Sequence, residues 1–311
     1  MLFLFTTVDG LQNGVCFFLL ALGVYLSYAV LGFPDMTVDG SFPLGGVAAT
    51  ALMLRLGLPP LLATLLAFSF GAAAGCVTGL LHVKGRISPL LAGIIVMTGL
   101  VSVTLAATRL LSPSGNAVTV FSYRGAGLSG LFGGELFSSL SRTERELLLL
   151  LCLLLFALLA KLMADILLAS RLGYLLRATG ENERFVTSLG KNAGAYRILG
   201  LSLANGLAAV SGALYAQMNM SYDNTSGAGK AVLALASVII GTAVFARLPH
   251  IRPTTAVLFG TLVYSLCLHY LVLVDPEGIW LKLLNAVLFA LILLFRDRLS
   301  AFLARRQRGG V

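Results

Sequence analysis

The chain has 311 residues, of which 58% are hydrophobic and only 11% are charged. Soluble domains are about a quarter charged, so this composition leaves too few charged side chains to cover a water-exposed surface, and lipid must solvate most of the chain. It excludes a cytoplasmic enzyme, a nucleic-acid-binding domain and a disordered chain. The net charge of +9 is instead typical of the basic cytoplasmic loops of a membrane protein.

Long apolar runs with few or no charges recur along the whole sequence. Many approach the roughly 20 residues that a membrane-spanning helix needs, and they lack the period-two alternation of barrel strands. The sequence therefore predicts an all-α, polytopic helical bundle of eight or nine membrane segments, in a single transmembrane domain over residues 1–311. The runs cover residues 11–31, 41–56, 60–81, 88–111, 146–165, 195–218, 230–247, 253–274 and 279–296.

The second run, 41–56, is short for an ordinary spanning helix and follows the polar turn 34–40. We expect a broken or re-entrant helix there, which is tolerated at membrane depth only where its backbone is buried in protein or lines a cavity. If this run crosses the membrane fully, the N-terminal side of the first span faces outside. If it re-enters, that side faces inside.

Basic residues concentrate in four connections that alternate with the spans from residue 60 onward. These connections are expected to be cytoplasmic, because cytoplasmic loops carry an excess of Lys and Arg. The tail 297–311 then lies in the cytoplasm, and the long Gly- and Ser-rich loop 112–145 is external. The four basic connections are 82–88, 166–197, 247–252 and the tail.

The sequence contains a weak internal repeat. One helix begins near Gly40 and ends before Pro59, and a second begins near Gly229 and ends before Pro249; each is followed by another apolar run. Transporters are often built from such repeats, with broken helices at matching places. Chance similarity between two apolar segments is the alternative.

No pattern for catalysis or metal binding stands out. The three histidines are isolated, the four cysteines lie singly in apolar runs, and neither a metalloprotease motif nor a nucleophile elbow nor a phosphate-binding loop occurs. We therefore expect a non-catalytic chain without cofactors of its own. Since 198–222 and 253–274 contain no Asp, Glu, Lys or Arg, an ion-coupling site is weakly supported, and the energy for transport would come from a partner.

Polar residues near the predicted break and inside the spans are candidates for a solute pathway. Asp35 and Asp39 have two interpretations: turn and N-cap residues that accept bonds from free backbone N–H groups, which we favour, or side chains that meet the solute. For the polar residues of the later spans, hydrogen bonding between helices is the alternative; Asn205 and Gln217 project about 120° apart. The candidates are Asp35, Thr37, Asp39, Ser41, Asn205, Gln217 and Asn219.

The connection 171–197 is long, partly amphipathic and charged with both signs. We predict a helix from Asn182 to Leu189 with Glu181 in its first turn, ended by Gly190 as a left-handed cap. A short helix displayed below the membrane suits docking to a soluble protein. A solvated loop that sets topology is the alternative.

The same connection carries a family resemblance. The run RATGEN at 177–182, the Leu189-Gly190 pair and the run ANGLAAVSGAL at 204–214 resemble ABC importer permeases of the branched-chain amino-acid type, which also serve sugars and nucleosides. The run FPDMTVDGSFPLG at 33–45 is similar to a subgroup described as tryptophan/tyrosine or uncharacterised amino-acid permeases.

The resemblance implies a permease homodimer in the cell (inner) membrane. A separate ABC ATPase subunit would bind the ATP, and an extracytoplasmic solute-binding protein would deliver the solute, most simply an amino acid. A sugar or nucleoside permease is the alternative within the family, and an ion-coupled secondary transporter is the rival outside it. By the same resemblance, 177–190 is the coupling segment that docks on the ATPase, so Gly180→Pro should uncouple hydrolysis from transport. The coupling candidates are Arg177, Thr179, Gly180, Glu181, Asn182, Arg184 and Gly190.

Overall fold

The computed structural model describes residues 2–111, 120–123, 130–132, 141–245 and 251–274, together with 280, 283, 286–291 and 294. These residues form long helices and one short antiparallel pair of strands. The elements are α1 (Leu2–Val24, extended by a π-helical turn at Tyr25–Val30), α2 (Val38–Leu56), α3 (Pro60–Val83), α4 (Pro89–Leu111), β1 (Val120–Ser122), α5 (Arg142–Ala169), α6 (Arg171–Glu181), α7 (Glu183–Ser188), α8 (Ala193–Met218), β2 (Ser221–Asp223), α9 (Lys230–Ile240, extended by a π-helical turn at Gly241–Phe245) and α10 (Pro253–Val274).

The predicted all-α membrane bundle is confirmed in its coarse form. Within the described residues, six helices are long and apolar enough to cross a membrane, and the stretch Lys230–Phe245 is a shorter apolar helix. The exact number of eight or nine segments is not established by these helices, because most of the last predicted run and the whole tail 297–311 fall outside the described residues.

The helices run between two ends of the bundle, which we name the Gly180 end and the Gln217 end. Helix α8 starts at the Gly180 end and finishes at the Gln217 end. Helices α1 and α3 run against it: Gly71 and Gly75 of α3 lie against the backbone of α8 at Asn205 and Leu201. Small residues on α3 therefore allow two helix backbones to touch.

The predicted break beside the polar turn 34–40 lies immediately before α2. Helix α2 is continuous over 19 residues from Val38, and the interruption is the segment 31–37, named here the linker. The chain leaves the π-helical turn through Gly32, whose φ of +63° suits glycine, and Pro34 then disfavours helix at Phe33. The second membrane segment is thus interrupted near Asp35, where the sequence predicts the break, and only its helical half α2 is continuous.

The linker and α2 together pass from one end of the bundle to the other. Leu31 packs beside Gly180, whereas Arg55 at the far end of α2 donates to the carbonyl oxygen of Leu110 at the far end of α4. The linker and α2 therefore extend together from the Gly180 end of the bundle to the Gln217 end. The first residues of α1 and the start of α3 lie at the same end, the Gln217 end.

The two predicted repeat units have opposite directions. Helix α2 starts midway through the bundle and runs to the Gln217 end, and α3 returns. Helix α9 starts beside Asp39 of α2 and runs to the Gly180 end, and α10 returns, with Gly260 of α10 against Ser237 of α9. If the helix before each pair, α1 or α8, is counted with it, each unit has three helices, and the last helix of one packs along the first of the other: α3 on α8 and α10 on α1. This is the arrangement of an inverted repeat.

The predicted external loop 112–145 is described only in part. Its strand β1 pairs with β2, with Phe121 opposite Tyr222, so this part of the loop lies over the Gln217 end. Burial raises the pKa of the Tyr222 phenol to about 12, so the phenol stays protonated and donates to Thr108 at the end of α4 over 3.0 Å. The loop is thereby tied to the helices beneath it.

Candidate functional site

Three of the polar candidates meet in one buried network in the middle of the bundle. The Asn205 amide nitrogen donates to Asp35 Oδ2 over 2.6 Å, and the Asn205 carbonyl oxygen accepts from Ser41 Oγ over 2.7 Å. All three side chains are buried. Asn205 therefore joins α8 to both the linker and α2. The structure thus supports the interpretation that the Asn205 side chain forms hydrogen bonds between helices.

Asp35 also has the turn role expected of it. Its Oδ1 accepts from the backbone N–H of Thr37 over 2.8 Å, while the Thr37 hydroxyl bonds that of Thr78 on α3 over 2.7 Å. The start of α2 is thus held by side chains from α3 and α8. A polar cluster of this kind is satisfied internally, as a bundle at membrane depth requires.

Asp39 caps a different helix from the one expected. Its carboxylate accepts from the backbone N–H groups of Gly229, over 3.1 Å, and Ala231, over 2.6 Å. These groups belong to the first turn of α9, so the sequence-based assignment of Asp39 as a cap of its own helix was wrong. The free N–H groups and the positive end of the α9 dipole attract the carboxylate. The N-terminal ends of α2 and α9 are thereby joined.

The remaining two pathway candidates, Gln217 and Asn219, lie away from the place where the N-terminal ends of α2 and α9 meet. Gln217 donates to Thr64 Oγ1 over 2.5 Å and accepts from the backbone of Leu131 over 2.9 Å. Asn219 is exposed at the end of α8 and donates to the carbonyl oxygen of Tyr215 over 2.8 Å. Both therefore belong to the Gln217 end, where Gln217 holds Leu131 of the 112–145 loop.

Sequence reasoning missed Lys230, the first residue of α9. Its ammonium lies 4.0 Å from the ring centroid of Phe17, 5.0 Å from that of Tyr215 and 5.5 Å from that of Phe42. We name these four residues the Lys230 cage. A lysine at the head of an apolar helix is the signal that could have found it, because a charged residue within a membrane bundle is costly unless it is partnered.

The coupling candidates lie on two helices rather than one. Glu181 is the last residue of α6, and Asn182 has an extended backbone and caps α7 by accepting from the N–H of Phe185 over 3.2 Å. The helix predicted from Asn182 to Leu189 is present as α7, but the placement of Glu181 in its first turn was wrong. Gly190 has a φ of +70°, so the predicted left-handed conformation there is confirmed.

The corner between α6 and α7 is open to solvent. An open groove of about 740 Å³ is lined by residues of the corner and of α7. Arg184 and Gly190 are exposed, whereas Arg177 is partly buried and Thr179 is buried, donating back to the carbonyl oxygen of Leu175. The groove residues are Glu181, Asn182, Glu183, Arg184, Thr187 and Ser188.

Gly180 touches the linker through its backbone. A Cβ built at this position would overlap the carbonyl oxygen of Val30 and would lie 2.9 Å from the Cα of Leu31. Any side chain here would therefore push α6 away from the end of α1. The glycine permits direct backbone contact between the exposed corner and the linker.

A second connection runs from α7 to the linker through side chains. Arg197 of α8 pairs with Glu183 over 2.9 Å and lies 3.3 Å from His82 Nε2. The other ring nitrogen of His82 bonds the carbonyl oxygen of Ile87 over 2.8 Å, and its ring meets the edge of Phe33 at 5.1 Å between centroids. The corner thus reaches the first part of the linker by two routes, directly at Leu31 and through Arg197 and His82 at Phe33.

Comparison with known proteins gives a consistent assignment. Residues 6–295 match the family described as branched-chain amino acid transport system, permease component. The chain is 38% identical over 269 residues to a tyrosine transport system permease protein of Clostridioides difficile, covering 86% of this chain and 84% of that one. It is 32% identical over 287 residues to an uncharacterised protein of Rickettsia prowazekii, covering 91% and 95%. It is 27% identical over 223 residues to the ribose import permease of Escherichia coli, covering 72% and 64%. No solved structure shows significant similarity.

Proposed function

Because this chain belongs to the permease-component family of branched-chain amino acid transport systems, we propose that it is the membrane subunit of an ABC importer that passes an amino acid to the cytoplasm. An extracytoplasmic binding protein delivers the solute, and a separate ATPase subunit binds and hydrolyses ATP. The chain itself supplies the pathway and no catalytic group. It acts as a homodimer in the cell membrane, with the Gly180 end facing the cytoplasm.

The amino-acid assignment is supported by the tyrosine permease relative, which matches this chain at higher identity and over more of its length than the ribose permease does. The ribose relative is the reason to keep a sugar as the second candidate. An ion-coupled secondary transporter has no comparable relative among those found, so it stands as the outcome that would overturn the proposal.

The contact between Gly180 and the linker is the observation that carries the coupling mechanism. The α6–α7 corner is exposed and carries an open groove, so a soluble ATPase can reach it. Immediately behind the corner, Gly180 lies against Val30 and Leu31. When the ATPase moves the corner, the linker must move with it, because the two backbones are already in van der Waals contact. The linker leads directly into α2 and hence to the buried network of Asp35, Ser41 and Asn205.

This movement biases the bundle between two states rather than deforming it continuously. The Asp35, Ser41 and Asn205 network fixes one arrangement of the linker against α8. A pull on the linker must break or shift that network, so the network is the part of the pathway that responds first.

Reconstitution tests the proposal. The permease, its partner ATPase and the binding protein are placed in liposomes, and uptake of radiolabelled tyrosine and ribose is measured with and without ATP. The expected result is concentrative tyrosine uptake that requires ATP and all three components, and that stops with an ATPase variant lacking its catalytic glutamate. Concentrative uptake by the permease alone, driven by an ion gradient, would refute the ABC assignment. ATP-driven uptake of ribose in place of tyrosine would refute the amino-acid assignment.

A further inference from the structure

A buried carboxylate near the end of α5 lies outside the residues discussed so far. Asp165 Oδ2 accepts from Lys161 Nζ over 2.9 Å and from Arg252 Nη1 over 3.1 Å. Asp165 Oδ1 accepts from Thr254 Oγ1 over 2.5 Å. The Asp165 side chain is only 6% exposed, and Thr254 is buried. Both oxygens of this carboxylate are therefore engaged by protein donors.

Two of the three donors belong to another helix. Lys161 lies one turn before Asp165 on α5, whereas Arg252 immediately precedes α10 and Thr254 lies in its first turn. The free N–H groups and the dipole at the start of α10 also favour a carboxylate there. Separating a buried carboxylate from such partners is costly. The end of α5 is thus held to α10, which belongs to the second repeat unit.

The turn from α5 into α6 leaves no slack between these helices. Ser170 is the single residue between them; its hydroxyl donates to the carbonyl oxygen of Leu167 over 2.6 Å and accepts from the N–H of Gly173 over 3.4 Å. A Cβ built at Gly173 would overlap that carbonyl oxygen and would lie 2.5 Å from the Cα of Leu168. The start of α6 therefore packs directly on the backbone of α5, one turn beyond Asp165.

Helix α6 consequently has one attachment at each end. Its start is held through Asp165 to the second unit, and Gly180 near its end touches Val30 and Leu31 of the first unit. The 11 residues of α6 span about 16 Å. A displacement of the exposed corner beyond Gly180 therefore turns α6 about its start and shifts the linker relative to α10. Without the attachment at the start, α5 and α6 would follow the corner together.

We propose that Asp165 is a positioning residue that makes the start of α6 a fixed pivot, so that motion of the coupling corner moves the first repeat unit against the second. Relative motion of the two repeats is what alternating access requires. The inference rests on the proposed function and adds to it the residue that holds the second unit in place.

Transport per ATP tests the pivot. The permease, its partner ATPase and the binding protein are placed in liposomes, and imported radiolabelled tyrosine is divided by the phosphate released from ATP. Asp165→Asn and Thr254→Val should each lower this ratio at least about fivefold while hydrolysis continues. Thr254→Ser, which keeps the hydroxyl, should retain a ratio near that of the wild type.

Lys161→Gln is the matched control. It removes an ion pair of the same carboxylate but leaves both donors from the α10 side in place, so the ratio should not change. A contact that only stabilises the fold would lower the folded amount, the uptake and the hydrolysis together, and would leave the ratio of folded complexes unchanged. Size-exclusion chromatography establishes that each variant is folded.

Amide hydrogen exchange gives a second measurement that uses no solute. The wild-type permease–ATPase complex in nanodiscs is compared without nucleotide and with ATP and vanadate. Exchange in the linker, 31–37, should respond to nucleotide, while exchange in 165–170 should not. In Asp165→Asn the linker response should be lost.

Three outcomes would overturn the pivot: an unchanged ratio in folded Asp165→Asn and Thr254→Val, an equal loss in Lys161→Gln, or a nucleotide response in 165–170 of the wild type as large as that of the linker. The wild-type exchange measurement decides the question even if the variants do not fold. Absence of ATP-driven tyrosine uptake by the wild-type complex is instead a failure of the proposed function.

Discussion

Removing the Asn205 side chain should destabilise the whole bundle, because it breaks the network that holds the linker and α2 to α8. Asn205→Ala deprives Asp35 of a donor at 2.6 Å and Ser41 of an acceptor at 2.7 Å, all in a buried site. A hydrogen bond to a carboxylate contributes about 1.5–3 kcal/mol and a neutral one about 1 kcal/mol, so the loss predicts about 3 kcal/mol of unfolding free energy. Interhelical bonds in membrane proteins average about 0.6 kcal/mol each, which sets a lower bound near 1 kcal/mol.

The measurement is unfolding of the purified chain in mixed micelles of rising SDS content, followed by circular dichroism. The double variant D35N/N205D is the sharpest control, because it exchanges the two groups. The amide at position 35 can donate to the carboxylate at position 205, which still accepts from Ser41, and only the 3.0 Å bond to the Leu201 carbonyl oxygen is lost. We expect it to recover most of the stability lost in Asn205→Ala. Wild-type stability of Asn205→Ala, or a double variant no more stable than it, would refute the reasoning.

Two further predictions concern the coupling corner. Gly180→Ala should lower ATP-driven uptake about tenfold while ATP hydrolysis continues, because the added Cβ overlaps the backbone at Val30 and Leu31 and overpacking of this kind costs about 1–3 kcal/mol. Gly180→Pro should have the same effect. Gly99→Ala, whose Cβ meets nothing within 4 Å, is the matched control. Normal uptake in Gly180→Ala would count against the linker mechanism. Arg197→Gln should speed amide hydrogen exchange in α7 by up to about fivefold with little loss of global stability. The ion pair between Arg197 and Glu183 is partly exposed, so it contributes at most about 1 kcal/mol. Unchanged exchange would show that this ion pair does not hold α7.

Local signals in the sequence predicted local features of the fold. The glycine after α7 has the left-handed conformation that its position predicts, and Asp35 holds a turn just before α2. The polar turn 34–40 marked the break, although the structure begins it a few residues earlier, at Leu31. Apolar run lengths cannot place such a break, because the linker residues 31–33 are themselves apolar.

Partners distant in the sequence could not be predicted in the same way. Asp39 bonds backbone groups about 190 residues away, and no periodicity or spacing encodes that contact. Lys230 was passed over because a single charge at the head of an apolar run is indistinguishable from a loop residue until the packing of α1, α2 and α8 around it is known. The RATGEN run marked the segment proposed for coupling, but the bend at Asn182 depends on one backbone conformation that composition does not fix.

The position of Asp39 connects the folding problem to transport. Two helices that begin inside a lipid-embedded bundle expose free N–H groups with no water to bind them. The linker satisfies those of α2, through Asp35 and the carbonyl oxygen of Met36; Asp39 satisfies those of α9. Because Asp39 lies in the first turn of α2, any displacement of α2 by the linker also moves the carboxylate that caps α9. Lys230 lies between Gly229 and Ala231, the two residues whose N–H groups this carboxylate binds. In the proposed mechanism, the contact that allows α9 to start in the bundle therefore also carries motion of the Gly180 corner to Lys230.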